Sequence, residues 1–80
     1  MPDLTGRDRE MLAFERRFYR HAGAKEQAMK DELGLTPTRY YQLLVGSGGV
    51  IDQPAALEHD PVLVKRLRRL RETRRARRAG

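Results

Sequence analysis

Glycine and proline cut this chain into pieces that suit only short helices. Gly34, Thr36-Pro37, the run Gly46-Ser47-Gly48-Gly49, Pro54 and Asp60-Pro61 punctuate its 80 residues. Proline is excluded from helix interiors but accepted at their first position, and glycine commonly ends them. Between these breaks apolar residues recur at spacings of three and four, the period of a helix with one buried face. The chain has no cysteine, so neither a disulfide nor a thiolate zinc site can hold it together. A chain of this length buries roughly 60–65% of its surface on folding. Its small core must therefore come from helices packed on one another, and the expected fold is all-α in a single domain.

Met1 to Leu4 reads as a frayed end. Thr5 caps a first helix over residues 6–22, with Met11, Phe14, Phe18 and Ala22 on one apolar face and Gly23 as its stop. Ala24 to Leu33 is rich in good helix formers and ends at Gly34. Thr36 caps a third helix, with Pro37 first, running to about Val45. The glycine-rich run 46–49 reads as a flexible joint. Val50 and Ile51 return to the core, and a short helical turn follows from Pro54 to Leu57. Asp60 and Pro61 then open a last helix that reaches about Arg78. The expected organisation is a core of three helices within residues 1–60 and a long basic helix over 61–80. Leu63, Leu67 and Leu70 form an apolar stripe on that helix. The stripe suits packing on the chain's own core or, alternatively, a homodimer seam. Two turns are too short for an independent coiled coil.

Charge is distributed unevenly. Residues 1–60 carry eight Lys/Arg against ten Asp/Glu, whereas residues 61–80 carry nine against Glu72 alone. A near-neutral body with a strongly basic tail fits a polyanionic partner. The tail comprises Lys65, Arg66, Arg68, Arg69, Arg71, Arg74, Arg75, Arg77 and Arg78. Arginine dominates it, and the guanidinium fork matches phosphate oxygens in pairs. All nine are candidate phosphate ligands.

The second candidate lies between Ala24 and Leu44. Leu33-Gly34-Leu35-Thr36 resembles the turn of a helix-turn-helix unit. Gly34 supplies a left-handed residue, and Leu33 and Leu35 bury on either side of it. Tyr40, Leu43 and Leu44 pack the third helix inward. Thr38, Arg39, Tyr41 and Gln42 then point outward near its start, where a recognition helix meets base edges in a major groove. Arginine can read guanine and glutamine adenine, each with two hydrogen bonds. Lys30 stands where such units usually place a small residue, and Ala28 is the alternative small contact.

Other chemistries find little support. His21 and His59 are isolated, without the spacing of a metal pair or a nucleophile partner. His21 reads as a helix-end residue that favours the dipole. The run 46–49 lacks the Lys-Ser/Thr of a phosphate loop. No acid–base or metal constellation suggests an enzyme, and no cofactor is expected. No stretch approaches the ~20 apolar residues needed to cross a bilayer. The expected compartment is the cytoplasm, and within it the nucleoid, with no membrane association.

Four blocks resemble a known family. They are Met11 to Arg16, Ala22 to Ala28, Thr38 to Gln42 and Asp60 to Leu70, in the same order. The family comprises small actinobacterial proteins catalogued as domain of unknown function 3263, with helix-turn-helix character. The resemblance spans about Leu4 to Arg75. It implies DNA binding, since a relative is described as nucleoid-associated, and it implies no catalytic role. This chain departs at Gly46–Gly49, where relatives run more directly from the tyrosine pair to the Ile-Asp turn. The expected function is therefore duplex DNA binding, as a nucleoid-associated protein or a small transcriptional regulator. RNA or ribosome binding by the same tail is one alternative. A protein-interaction adaptor on RNA polymerase is another.

Overall fold

The computed structural model describes residues 3–79. It is all-helical, with no strand among the described residues. The helices are α1 (Gly6–Glu15), α2 (Ala22–Ala28), α3 (Pro37–Val45), α4 (Pro54–His59) and α5 (Pro61–Ala79). A π-helical turn, Met29–Leu33, continues α2, and a 3-10 turn, Val50–Asp52, precedes α4. No helix among the described residues is long and apolar enough to cross a membrane.

The caps form as their residues dictate. Thr5 Oγ1 accepts the amide of Asp8 at 3.1 Å, and Thr36 Oγ1 accepts that of Arg39 at 3.2 Å. Pro37 takes the first position of α3. Gly34 ends the α2 segment in the left-handed region, at φ 65°. Its amide reaches Lys30 O, and that of Leu35 reaches Met29 O, at 3.1 and 3.3 Å. The π turn widens the last part of that helix and lowers Met29 into the core. Ala28 packs partly buried beside it, while Lys30 stays exposed.

Three boundaries differ from the sequence expectation. First, α1 stops at Glu15, where the amides of Arg16 and Arg17 turn back to Ala13 O and Phe14 O. Those tighter bonds close the helix early. Tyr19, not Phe18, then packs on Phe14, with ring centroids 5.6 Å apart, and Phe18 is left 89% exposed. Second, Gly23 lies inside α2 and stops nothing; His21 precedes that helix as its N-cap, the opposite end from the one expected. Third, Leu4 is buried in the core rather than frayed. Met1 and Pro2 lie outside the described residues.

The core is built from Met11, Leu12 and Phe14 of α1, Met29, Tyr40 and Leu44 of α3, and Val50 and Ile51. Helix α5 closes it with Leu63, Val64 and Leu67. Leu63 and Leu67 of the expected stripe pack inward, but Leu70 does not. Leu70 is 49% exposed, and Val64 and Arg71 occupy the seam instead. The rotation follows from the start of α5. Buried Asp60 accepts the amide of Leu63 at 3.3 Å and pairs with Arg16 Nε at 3.2 Å. Asp8, also buried, accepts Gln53 Nε2 at 3.1 Å and ties α1 to the segment before α4.

Candidate nucleic-acid interface

Of the four candidate residues on α3, all have their side chains exposed. Three of them fall on two sides, and Thr38 lines neither hollow. Arg39 and Gln42 line a depression of about 340 Å³ with Arg7, Ser47, Gly48 and Gln53. Tyr41 faces a groove of about 400 Å³ between α3 and α5. Its ring meets that of Tyr40 edge-on at 5.1 Å, and Lys25 Nζ stands 5.8 Å from its centroid. Ser47 belongs to both hollows, so they join around the C-terminal end of α3.

The residues between α3 and the 3-10 turn Val50–Asp52 make that junction firm. The run 46–49, read as a flexible joint, is closed by hydrogen bonds. The Gly49 amide reaches Gly46 O at 2.8 Å, and the Gly48 amide reaches Asp52 Oδ2 at 3.0 Å. Gly48 takes φ 72°, and a Cβ at Gly49 would lie 2.6 Å from Leu43 O. Only glycine meets both requirements without displacing backbone.

The nine basic residues of α5 fall into three groups. Arg68 and Arg71 are engaged by the protein itself. Arg68 Nε donates to Ile51 O at 2.7 Å. Arg71 donates to Val45 O at 3.2 Å and to Asp52 Oδ1 at 2.8 Å, and its Nε is buried without a partner. The Arg71 guanidinium holds the Asp52 carboxyl below its ordinary range, aided by the Gly48 amide and opposed by burial. These two arginines join α5 to the turns after α3. They are structural where the sequence offered them as phosphate ligands.

Arg74, Arg75 and Arg78 form the second group. They continue the core-facing side of α5 beyond the end of the core and line the groove opposite Tyr41. Arg75 also touches Glu72 at 3.2 Å, with both side chains more than half exposed. Such a pair is worth little and yields readily to a phosphate. Lys65, Arg66, Arg69 and Arg77 form the third group, exposed and outside that groove.

Sequence reading missed the cluster at the inner end of the groove. Glu15 accepts Lys25 Nζ at 3.1 Å and the Tyr40 hydroxyl at 2.5 Å. One carboxylate thus ties α1, α2 and α3 together. Burial pushes the Tyr40 phenol far above its usual range, and the Glu15 hydrogen bond adds to that. The only sequence signal was Glu15 at the true end of α1, and the expected continuation to residue 22 concealed it.

No curated protein and no solved structure matches this chain. A family model does match, over residues 3–79, nearly the full length. The chain belongs to the family described as Protein of unknown function (DUF3263).

Proposed function

We propose that this protein binds duplex DNA, with α2, the Gly34 turn and α3 as a helix-turn-helix unit and α3 as the recognition helix. The supporting observation is one of continuity. The exposed edge of α3 runs through Ser47 into a groove walled by Arg74, Arg75 and Arg78. Thr38, Arg39, Tyr41 and Gln42 meet the groove of the duplex, and the three arginines hold its phosphates. Phosphate contacts supply most of the affinity, and base contacts supply any discrimination. One short reading helix offers few base contacts. The protein therefore acts broadly on DNA, in the nucleoid or as a small transcriptional regulator.

The test is a gel-shift titration on duplex DNA and structured RNA at two salt concentrations, paired with binding-site selection. Duplex preference with a steep salt dependence supports the reading. Equal or tighter RNA binding overturns it in favour of an RNA-binding role, and a shallow salt slope favours an adaptor. Arg39→Ala and Gln42→Ala each cost about 1–3 kcal/mol of discrimination if they read bases. If they only touch phosphate, they weaken all sequences alike and reduce the salt slope by about one.

A further inference from the structure

We infer that one copy of this chain holds two duplexes at once, one on each side of α5, and so bridges DNA. The inference rests on the duplex-binding reading above. It starts from how the basic residues are arranged around the helix. Leu63, Val64, Leu67 and Arg71 form the seam against the body, and Arg74, Arg75 and Arg78 extend the same side. At about 100° per residue, Lys65, Arg66 and Arg69 lie roughly 120–180° around α5 from that seam. They are exposed and contact no acidic partner among the described residues.

A single duplex cannot serve both sets. The first half of α5 is packed on α3, α4 and the 3-10 turn. The body of the protein therefore stands between the α3 edge and Lys65, Arg66 and Arg69. DNA is stiff, with a persistence length of about 150 bp, and does not fold around a helix some 10–12 Å thick. Phosphates that reach the outer set while the α3 side is occupied must belong to another duplex. The inner set has a neighbouring reading edge and an aromatic side chain. The outer set lies outside that groove, so it grips backbone without reading it. The second contact is accordingly weaker and independent of sequence.

The experiment is a two-duplex capture with the full chain. A biotinylated duplex on streptavidin beads is mixed with protein and a free fluorescent duplex, at about 0.1 M salt, where screening extends about 10 Å. The parent protein is expected to retain the fluorescent duplex. The triple variant Lys65→Glu, Arg66→Glu, Arg69→Glu is expected to lose at least tenfold of that capture while its gel-shift affinity for one duplex changes less than about threefold. The alanine triple at the same positions gives the same split with smaller amplitude, and thermal melts confirm that both variants fold. Arg74→Glu, Arg75→Glu, Arg78→Glu should instead lose single-duplex affinity and capture together. A parent that shifts one duplex but captures no second overturns bridging and leaves DNA binding standing. Capture that survives the outer triple also overturns it, because a protein dimer is then the bridge. Equal loss of single-duplex affinity from both triples overturns it as well. A parent that shifts no duplex removes the DNA reading itself.

Discussion

The two halves of α5 both carry arginines, but in opposite service. From Pro61 to Arg71 the helix lies on the core, and two of its arginines are spent on carbonyls and Asp52. From Glu72 onward every described side chain is exposed, and Arg74, Arg75 and Arg78, on the same side of the helix, line a groove. Arg71 and Arg74 stand one turn apart, yet one is a structural strut and the other pairs with no acidic group among the described residues. The charge of an arginine does not decide between these uses. What decides is whether α3 and the turn after it still run alongside. They end at Val45 and Asp52, and Arg71 is the last residue they reach.

The sharpest way to break this comparison lies in the core that the first half covers. Leu44 is fully buried and Leu70 half exposed, although both are leucines on the α3–α5 side. Leu44→Ala should cost about 2–5 kcal/mol in denaturant melts, and Leu70→Ala within about 0.5 kcal/mol. Similar losses from both would show that α5 packs further along its length than described.

Removing residues 72–80 tests the second half. It deletes Arg74, Arg75, Arg77 and Arg78 and no buried residue among those described. The melting temperature should stay close to the parent's, while duplex affinity falls about a hundredfold or more at 0.1 M salt, as the loss of several phosphate contacts requires. A cut one residue earlier also removes Arg71 and should lower stability as well. If both truncations melt alike, Arg71 is not a strut.

Arg71→Ala and Asp52→Ala should each cost about 1–3 kcal/mol, since each leaves a partly buried charged group without its partner. Arg74→Ala should leave stability within about 0.5 kcal/mol. The double variant Arg71→Ala, Asp52→Ala should cost less than the two single losses added together. Simple additivity would show that the pair does not interact in solution.

The smallest expected effect is one of pH. Arg71 lowers the Asp52 pKa in the folded chain. A depressed carboxylate contributes stability that is fully present above its unfolded value of about 3.9 and is lost as pH falls through the folded value. The stability gap between the parent and Asp52→Asn should therefore be constant from neutral pH to about 5 and close at lower pH. A gap that persists to pH 2 would assign the contribution to packing or to the Gly48 amide rather than to the ion pair.

Much of this arrangement was legible in local chemistry. Thr5, Thr36 and Asp60 cap the helices that follow them, Gly34 takes the left-handed turn, and Pro37 and Pro61 open helices. Each of these depends on a residue's own backbone preferences and on partners within four positions, so the amino-acid order alone determines it. The same holds for the all-helical class and for the concentration of positive charge in the last twenty residues. Tertiary structure decided the rest. Phe18 lies outside the core because α1 ends at Glu15, which is held by Lys25 and Tyr40, and Tyr19 packs on Phe14 in its place. Val64 replaced Leu70 in the seam because Asp60, held by Arg16, set the rotation of α5. Arg71 became a strut because Val45 O and Asp52 lay within its reach. Periodicity admits neighbouring registers that differ by one residue. Only contacts between segments distant in sequence choose among them, and that choice separates the structural arginines from those left exposed.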